Sequence, residues 1–186
     1  MSLARPRLLF LPLLLALVGF VPPAVTVAAT PPHYALEKFG LSLINCTRTG
    51  GWVQKDGSCK DWGSGKHSKY RPPLKLGPAL SNKISRPYAR KIAKANYCGH
   101  DFGGRSITGA FHNAGFYGLH WGESIGCGNW SGPRRDIIET HLLMQSEKST
   151  NGWHWRNMKN PYFKVVGVGV AVVNGTTRIV EDFYLP

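Results

Sequence analysis

"FKVVGVGVAVVNGTTRIVEDFY", residues 163–184, is the stretch whose reading decides the fold. Two runs rich in β-branched residues flank Asn174-Gly175. A two-residue hairpin loop needs positive φ at both positions, which Asn-Gly tolerates best, so this spacing predicts a tight antiparallel hairpin. Upstream of it the patterning turns helical. "YALEKFGLSLIN" (34–45) sets Leu36, Phe39 and Leu43 at helical spacing, which predicts a short amphipathic helix. Residues 46–73 are rich in Gly, Ser, Lys and Pro and read as an ordered, irregular excursion. "PPLKLGPALSNKI" (72–84) predicts a turn and a short helix. Ser85-Arg86-Pro87 then reads as a helix start, with Ser85 as cap and Pro87 in the first turn. That helix is expected to run to about Asn96 and to bury Tyr88, Ile92 and Ala95. A further helix is expected after "NWSGP", with Ser131 as cap, Pro133 in the first turn and Ile137, Ile138 and Leu142 inward. Helices followed by a terminal hairpin predict an α+β or three-layer arrangement in one domain. The chain shows no internal repeat.

The N-terminus speaks to compartment. Arg5 and Arg7 precede an apolar run from Leu8 to Val21, and Val27-Ala28-Ala29 provides small residues at a cleavage site. This is the layout of a secretory signal, so residues 1–29 are expected to be removed and 30–186 to form the domain, with its core at 34–184. The run is short for a bilayer span and contains Pro12, and no later segment is apolar enough to cross a membrane. The mature chain is therefore expected to be secreted and not transmembrane. Of 23 Lys and Arg, 21 lie beyond Ala29 with all 10 Asp and Glu, a net charge near +11. That surplus favours anionic partners such as cell-wall polymers or acidic lipid surfaces. No nucleic-acid recognition motif is present.

Four cysteines in an exported chain read as two disulfides, with three pairings possible. Cys46 and Cys59 flank "TRTGGWVQKDGS", a polar, Gly-rich loop that a bridge would close at its base. Pairing them leaves Cys98 with Cys127. That second bridge would tie "YCGH" (97–100) to "GESIGC" (122–127) and set His100 and Glu123 toward one space; the other pairings remove the link. No C-x-x-C spacing points to a metal cluster.

Several stretches, in order, resemble the CAP superfamily of cysteine-rich secretory, antigen 5 and pathogenesis-related proteins. "GESIGCG" resembles its G-E-N-[IL]-A element, and "AGFYGLHWGESIG" its longer A-G-[YF]…G-E-N-I form. "RPPLKLGPALSNKISRPYARKIAKANYCGH" is similar to the family's stretch ending in a histidine, here His100. "GWHWRNMKNPYFKVVGVGVAVV" resembles the bacterial form's G-H-R-x-N-I-x-N-P-x-F-x-x-V-G-V-G, with His154 at its histidine. "INCTR" and "IVEDFY" resemble the opening and closing elements. The resemblance spans roughly 34–184 and implies an α-β-α sandwich. It also implies a central cleft in which His100, Glu123 and His154 hold a divalent cation such as zinc, since imidazoles and a carboxylate suit that ion. Three departures stand out. Ser124 replaces the Asn of G-E-N, Leu143 and Ser146 replace the Trp and Glu of W-x-x-E, and "EKSTNGW" is inserted before His154.

The remaining candidates read as structural. His120 is expected to pack in a loop, His141 to be a satisfied core or rim histidine and His112 to lie at the surface. "SGKHSKYR" (64–71) reads as a solvated basic loop. Asn45, Asn129 and Asn174 match the glycan-acceptor pattern. Three function classes follow, in this order: a non-enzymatic binding module for a lipid or extracellular protein partner, a wall-associated protein working by charge, and a hydrolase. A hydrolase would use His100, Glu123 and His154, with a His–Glu pair or metal-bound water as base, because no G-x-S-x-G or free cysteine offers a nucleophile.

Overall fold

The C-terminal hairpin forms the middle of the protein's main sheet. The computed structural model describes residues 30–129 and 131–186, so the expected leader lies outside the described residues. Residues Pro31–Pro186 form one compact unit. Its helices are α1 (Tyr34–Arg48), α2 (Pro78–Leu80), α3 (Arg86–Lys94), α4 (Ile107–Asn113), α5 (Pro133–Ser146) and α6 (Trp153–Lys159). A π-helical turn, Ser81–Ser85, joins α2 to α3, and a 3-10 turn, Glu147–Ser149, follows α5. The strands are β1 (Trp52–Val53), β2 (Cys59–Lys60), β3 (Lys75–Leu76), β4 (His120–Gly128), β5 (Val165–Val173) and β6 (Thr176–Leu185).

Asn174 and Gly175 have φ of 49° and 77°. Both loop positions thus take the left-handed region that the hairpin demands, and β5 and β6 pair antiparallel from Val173↔Thr176 to Val165↔Tyr184. The sheet order is β3-β5-β6-β4, with β3 parallel to β5 and β4 antiparallel to β6. β4 is therefore an edge strand. Side chains alternate across the sheet. Val166, Val168, Val170, Ile179 and Phe183 face α1, α5 and α6, where they join Leu43, Ile44, Ile137 and Met158 in the main core. On the other face Ile125, Ala171 and Val180 pack against Tyr88, Ala89 and Ile92 of α3, while Tyr184 packs with Leu80, Ile84 and Phe111. Helices cover both faces, giving the expected α-β-α sandwich.

The glycines of "VGVGV" decide how closely the second layer sits. A Cβ at Gly169 would lie 2.3 Å from the carbonyl carbon of Ser85 and 2.4 Å from the amide nitrogen of Arg86. Helix backbone rests on the strand there, which no larger residue permits. This contact also explains why Ser85 is not the predicted cap. The helical run begins earlier, at Pro78, and Ser85 sits inside it, donating from Oγ to Asp182 Oδ2 at 2.7 Å. Ala95 lies exposed just beyond the end of α3, and it is Ala89 and Ala93 that are buried beside Tyr88 and Ile92. At α5 the N-cap is Gly132, not Ser131, and it makes no side-chain cap.

The 46–73 excursion is ordered, and it includes the hairpin of β1 and β2 closed by the Cys46–Cys59 disulfide. Its anchor is Arg48, 1% exposed at the end of α1. The guanidinium donates to the carbonyls of Pro72 (2.6 Å), Met158 (2.8 Å), Asn160 (2.8 Å) and Phe163 (2.9 Å). "SGKHSKYR" is tied down as well as solvated, because His67 Nε2 lies 2.7 Å from Asp61 and Lys148 donates to the His67 carbonyl. Asn45 is buried and exchanges two hydrogen bonds with the Leu74 backbone, so its side chain is unavailable to a glycan; Asn129 and Asn174 are exposed.

Candidate functional site at the free edge of β4

The stretch "HWGESIGCG" is β4 itself, and its alternation sorts the residues. Gly122 and Gly126 face α6 and α5, where an added Cβ would meet Asn157 Oδ1 at 2.6 Å and Thr140 Cγ2 at 2.1 Å. Glu123, Ile125 and Cys127 face the opposite layer. The Cys98–Cys127 disulfide fastens the segment between α3 and α4 to this face, with Cα atoms 6.1 Å apart. His100 and Arg105 come from that fastened segment.

Glu123 is 5% exposed and meets both. Its Oε1 accepts from His100 Nδ1 at 2.7 Å and from Arg105 Nη1 at 2.9 Å, and its Oε2 accepts from Arg105 Nη2. Arg105 also donates to the His100 carbonyl at 3.0 Å and stacks 3.8 Å over the Tyr88 ring. Burial pushes the Glu123 carboxyl up, but the His100 and Arg105 hydrogen bonds outweigh burial and hold it below the usual carboxylate range. Asp182 lies opposite Glu123 in the β4–β6 register. Burial, and then the charge of Glu123, push the Asp182 carboxyl well above its ordinary value. A cavity of about 350 Å³ opens beside this network, lined by His100, Thr108, Trp121, Glu123, Trp153 and Asn157 among others.

His154 occupies a different pairing. Its Nδ1 lies 2.6 Å from Glu147 Oε1, and its backbone N–H donates to Glu147 Oε2 at 2.9 Å. Burial raises the Glu147 carboxyl and the His154 hydrogen bond more than offsets that, leaving it lowered. The dyad lines a second cavity of about 230 Å³, with Cys98, Cys127 and Thr140.

The structure thus brings His100 and Glu123 together, as the second disulfide implied, and does not bring His154 to them. Among the described residues no group of three His, Cys, Asp or Glu is placed to hold a metal ion. The expected His100–Glu123–His154 cation set does not fit this arrangement, because a guanidinium covers Glu123 on both oxygens and leaves no open carboxylate ligand beside His100. His120 belongs to β4 and stacks on Tyr162 at 4.6 Å. His112 is exposed, with its ring 5.4 Å from that of Trp121. His141 is buried and bonds Thr47 Oγ1 at 2.8 Å through Nε2, but its Nδ1 has no hydrogen-bond partner among the described residues. Three residues of these networks escaped the sequence reading. Glu147 stands one position beyond Ser146, Asp182 was visible only as part of "VEDF", and Arg105 carries no local signal.

Three layers and a cleft at the free sheet edge define the fold as that of the SCP (CAP) domain. The comparison that carries this is with an extracellular protein containing an SCP domain from Bacillus anthracis, at TM-score 0.56 and 14% identity, covering 86% of this chain. This chain spans 45% of that protein's length. Two further similar structures are NaASP2 with Zn²⁺ (TM-score 0.47, 11% identity, 80% of this chain and 76% of that one) and manganese-bound Ac-ASP-7, an Ancylostoma-secreted protein (0.45, 14%, 89% and 74%). The fold assignment rests on the first. No protein-family model matches the sequence, and no curated protein matches it.

Proposed function

We propose that this chain is a secreted, non-enzymatic binding domain whose ligand enters the cleft at the free edge of β4. One observation carries the reading: both oxygens of the Glu123 carboxylate are already engaged by His100 and Arg105. Three of its roughly four acceptor positions are taken, two of them by a guanidinium fork. A carboxylate held below its usual range is a weak proton acceptor, and one facing Arg105 has little attraction left for a cation. Export is supported by the leader-like N-terminus and by two disulfides, which persist in oxidising compartments. The net charge near +11 supports contact with anionic wall polymers, lipid surfaces or extracellular proteins through the outer surface.

The test is a thermal-shift series on residues 30–186 with Zn²⁺, Mg²⁺ and chelator, run beside turnover assays on peptides and wall fragments. A flat metal response and no turnover support the reading. Zinc stabilisation that disappears in Glu123→Gln overturns it. The surface contact should weaken as salt rises, since exposed charges are screened over about 10 Å at 0.1 M. A hydrolase is the second reading, favoured by the His154–Glu147 dyad: Glu147 fixes Nδ1 and leaves Nε2 in a cavity that Thr140 also lines. Turnover abolished by His154→Ala would establish it.

A further inference from the structure

The walls of the β4-edge cleft define what it holds. Trp153 is 73% exposed, although burying an aromatic of that size is among the larger gains available to a fold. One side of its indole is occupied by Arg156, whose guanidinium carbon sits 4.2 Å from the ring centre. Trp121 is the second aromatic wall. It is stacked on Phe111, with ring centres 6.2 Å apart, and braced by the His112 ring, so its orientation is fixed. Both tryptophans line the same 350 Å³ space, which lies within the usual range of small-ligand sites.

Its polar groups are specific too. Nδ1 of His100 is spent on Glu123, so in the neutral imidazole Nε2 is left as an acceptor. Nδ2 of Asn157 is spent on the Glu123 carbonyl (3.0 Å) and Ser124 Oγ (3.2 Å), which leaves Oδ1 as an acceptor. The Thr108 hydroxyl makes no hydrogen bond among the described residues. A buried carboxylate lies behind them. A ligand must therefore present donors along an edge and an apolar face to an indole. An acyl chain would strip water from these polar atoms without replacing its hydrogen bonds, at a cost for each. A phosphate or carboxylate would bring acceptors to acceptors, beside Glu123.

We infer that the cleft binds a neutral oligosaccharide, with a pyranose C–H face stacked on Trp153 and its hydroxyls donating to His100 Nε2 and Asn157 Oδ1. The inference rests on the reading of this cleft as a binding site, and it separates the cleft from the basic outer surface. Neutral sugar enters here; anionic polymers meet the protein elsewhere.

The experiment is calorimetric and NMR titration of residues 30–186 with neutral tetrasaccharides of glucose and of N-acetylglucosamine. An oligoglucuronate and a nucleoside serve as competing classes. A neutral oligosaccharide is expected to bind and to shift the His100 imidazole and the Trp121 and Trp153 indole signals. Trp153→Ala should weaken binding by at least about tenfold, equivalent to about 1.4 kcal/mol, with an unchanged melting temperature. Trp62→Ala, at another exposed tryptophan (53%) that does not line the cleft, should bind as the parent does. The inference is overturned if no neutral oligosaccharide binds, if only the glucuronate or the nucleoside does, or if Trp153→Ala binds undiminished. Those results leave the binding-domain reading standing, whereas zinc stabilisation or turnover removes that reading whatever the sugars do.

Discussion

Glu181 is an acid placed where an acid is costly, and its replacement should reverse part of the pH dependence of stability. The residue lies on β6 between Val168 and Ser124 on the neighbouring strands, on the face that carries Ile179 and Phe183 into the main core. It is 3% exposed, and its Oε2 has no hydrogen-bond partner among the described residues. Burial pushes its carboxyl from 4.5 up to about 8. Below pH 4.5 both folded and unfolded chains carry the proton, and the group adds no pH dependence. Between pH 4.5 and 8 the unfolded chain has released its proton and the folded chain has not, so stability falls as pH rises. At about 1.4 kcal/mol per unit, this penalty reaches up to about 5 kcal/mol at pH 8. Glu181→Gln keeps the shape and removes the titration. Urea denaturation of both proteins, followed by tryptophan fluorescence from pH 4 to 8, should show the variant gaining about 3–5 kcal/mol relative to the parent across that window. The amide's extra donors add an offset that does not vary with pH, and Asp182 is present in both proteins. Parallel stability curves would refute the reasoning.

Three other outcomes follow from particular contacts. Arg48→Met strands four carbonyls that now share one guanidinium, and urea denaturation should show a loss of about 3–5 kcal/mol. Gly169→Ala drives a methyl group into the backbone of Ser85 and Arg86 and should cost about 1–3 kcal/mol or more by the same measurement, with α3 losing amide-exchange protection first. Arg105→Met leaves a buried carboxylate beside Asp182, so an NMR titration should find the Glu123 carboxyl moved above its present value.

Much of the fold was legible because its signals are local or nearly so. Asn174-Gly175 determined a hairpin through the φ values that two residues must adopt, and the register followed. The loop between Cys46 and Cys59 was marked by its own composition, and that pairing left Cys98 with Cys127. His100 and Glu123 were legible together for the same reason, since a covalent bridge turns sequence spacing into spatial proximity. The local rules failed where another layer intervened. Ser85 has the chemistry of a cap, yet Gly167 and Gly169 admit a helix backbone onto β5, and Ser85 turns to Asp182 across that contact. His154 has the sequence setting of a cleft ligand, but the insertion before it places Glu147 within reach, and a carboxylate 2.6 Å away claims the ring.

The sequence by itself therefore determined the terminal hairpin and the mix of helices and strands, and it pointed to one of three disulfide pairings, the one that brings His100 toward Glu123 and that the structure contains. These depend on backbone conformational preference, periodic burial and covalent closure, all of which act over short or bridged stretches. Only the tertiary structure decided the state of that meeting place. Arg105 clamps Glu123, Asp182 is buried beside it with its carboxyl pushed upward, and His154 pairs with Glu147. A buried charge takes whichever partner the packing of distant segments brings within about 3 Å, and residue identity along a chain does not encode that distance.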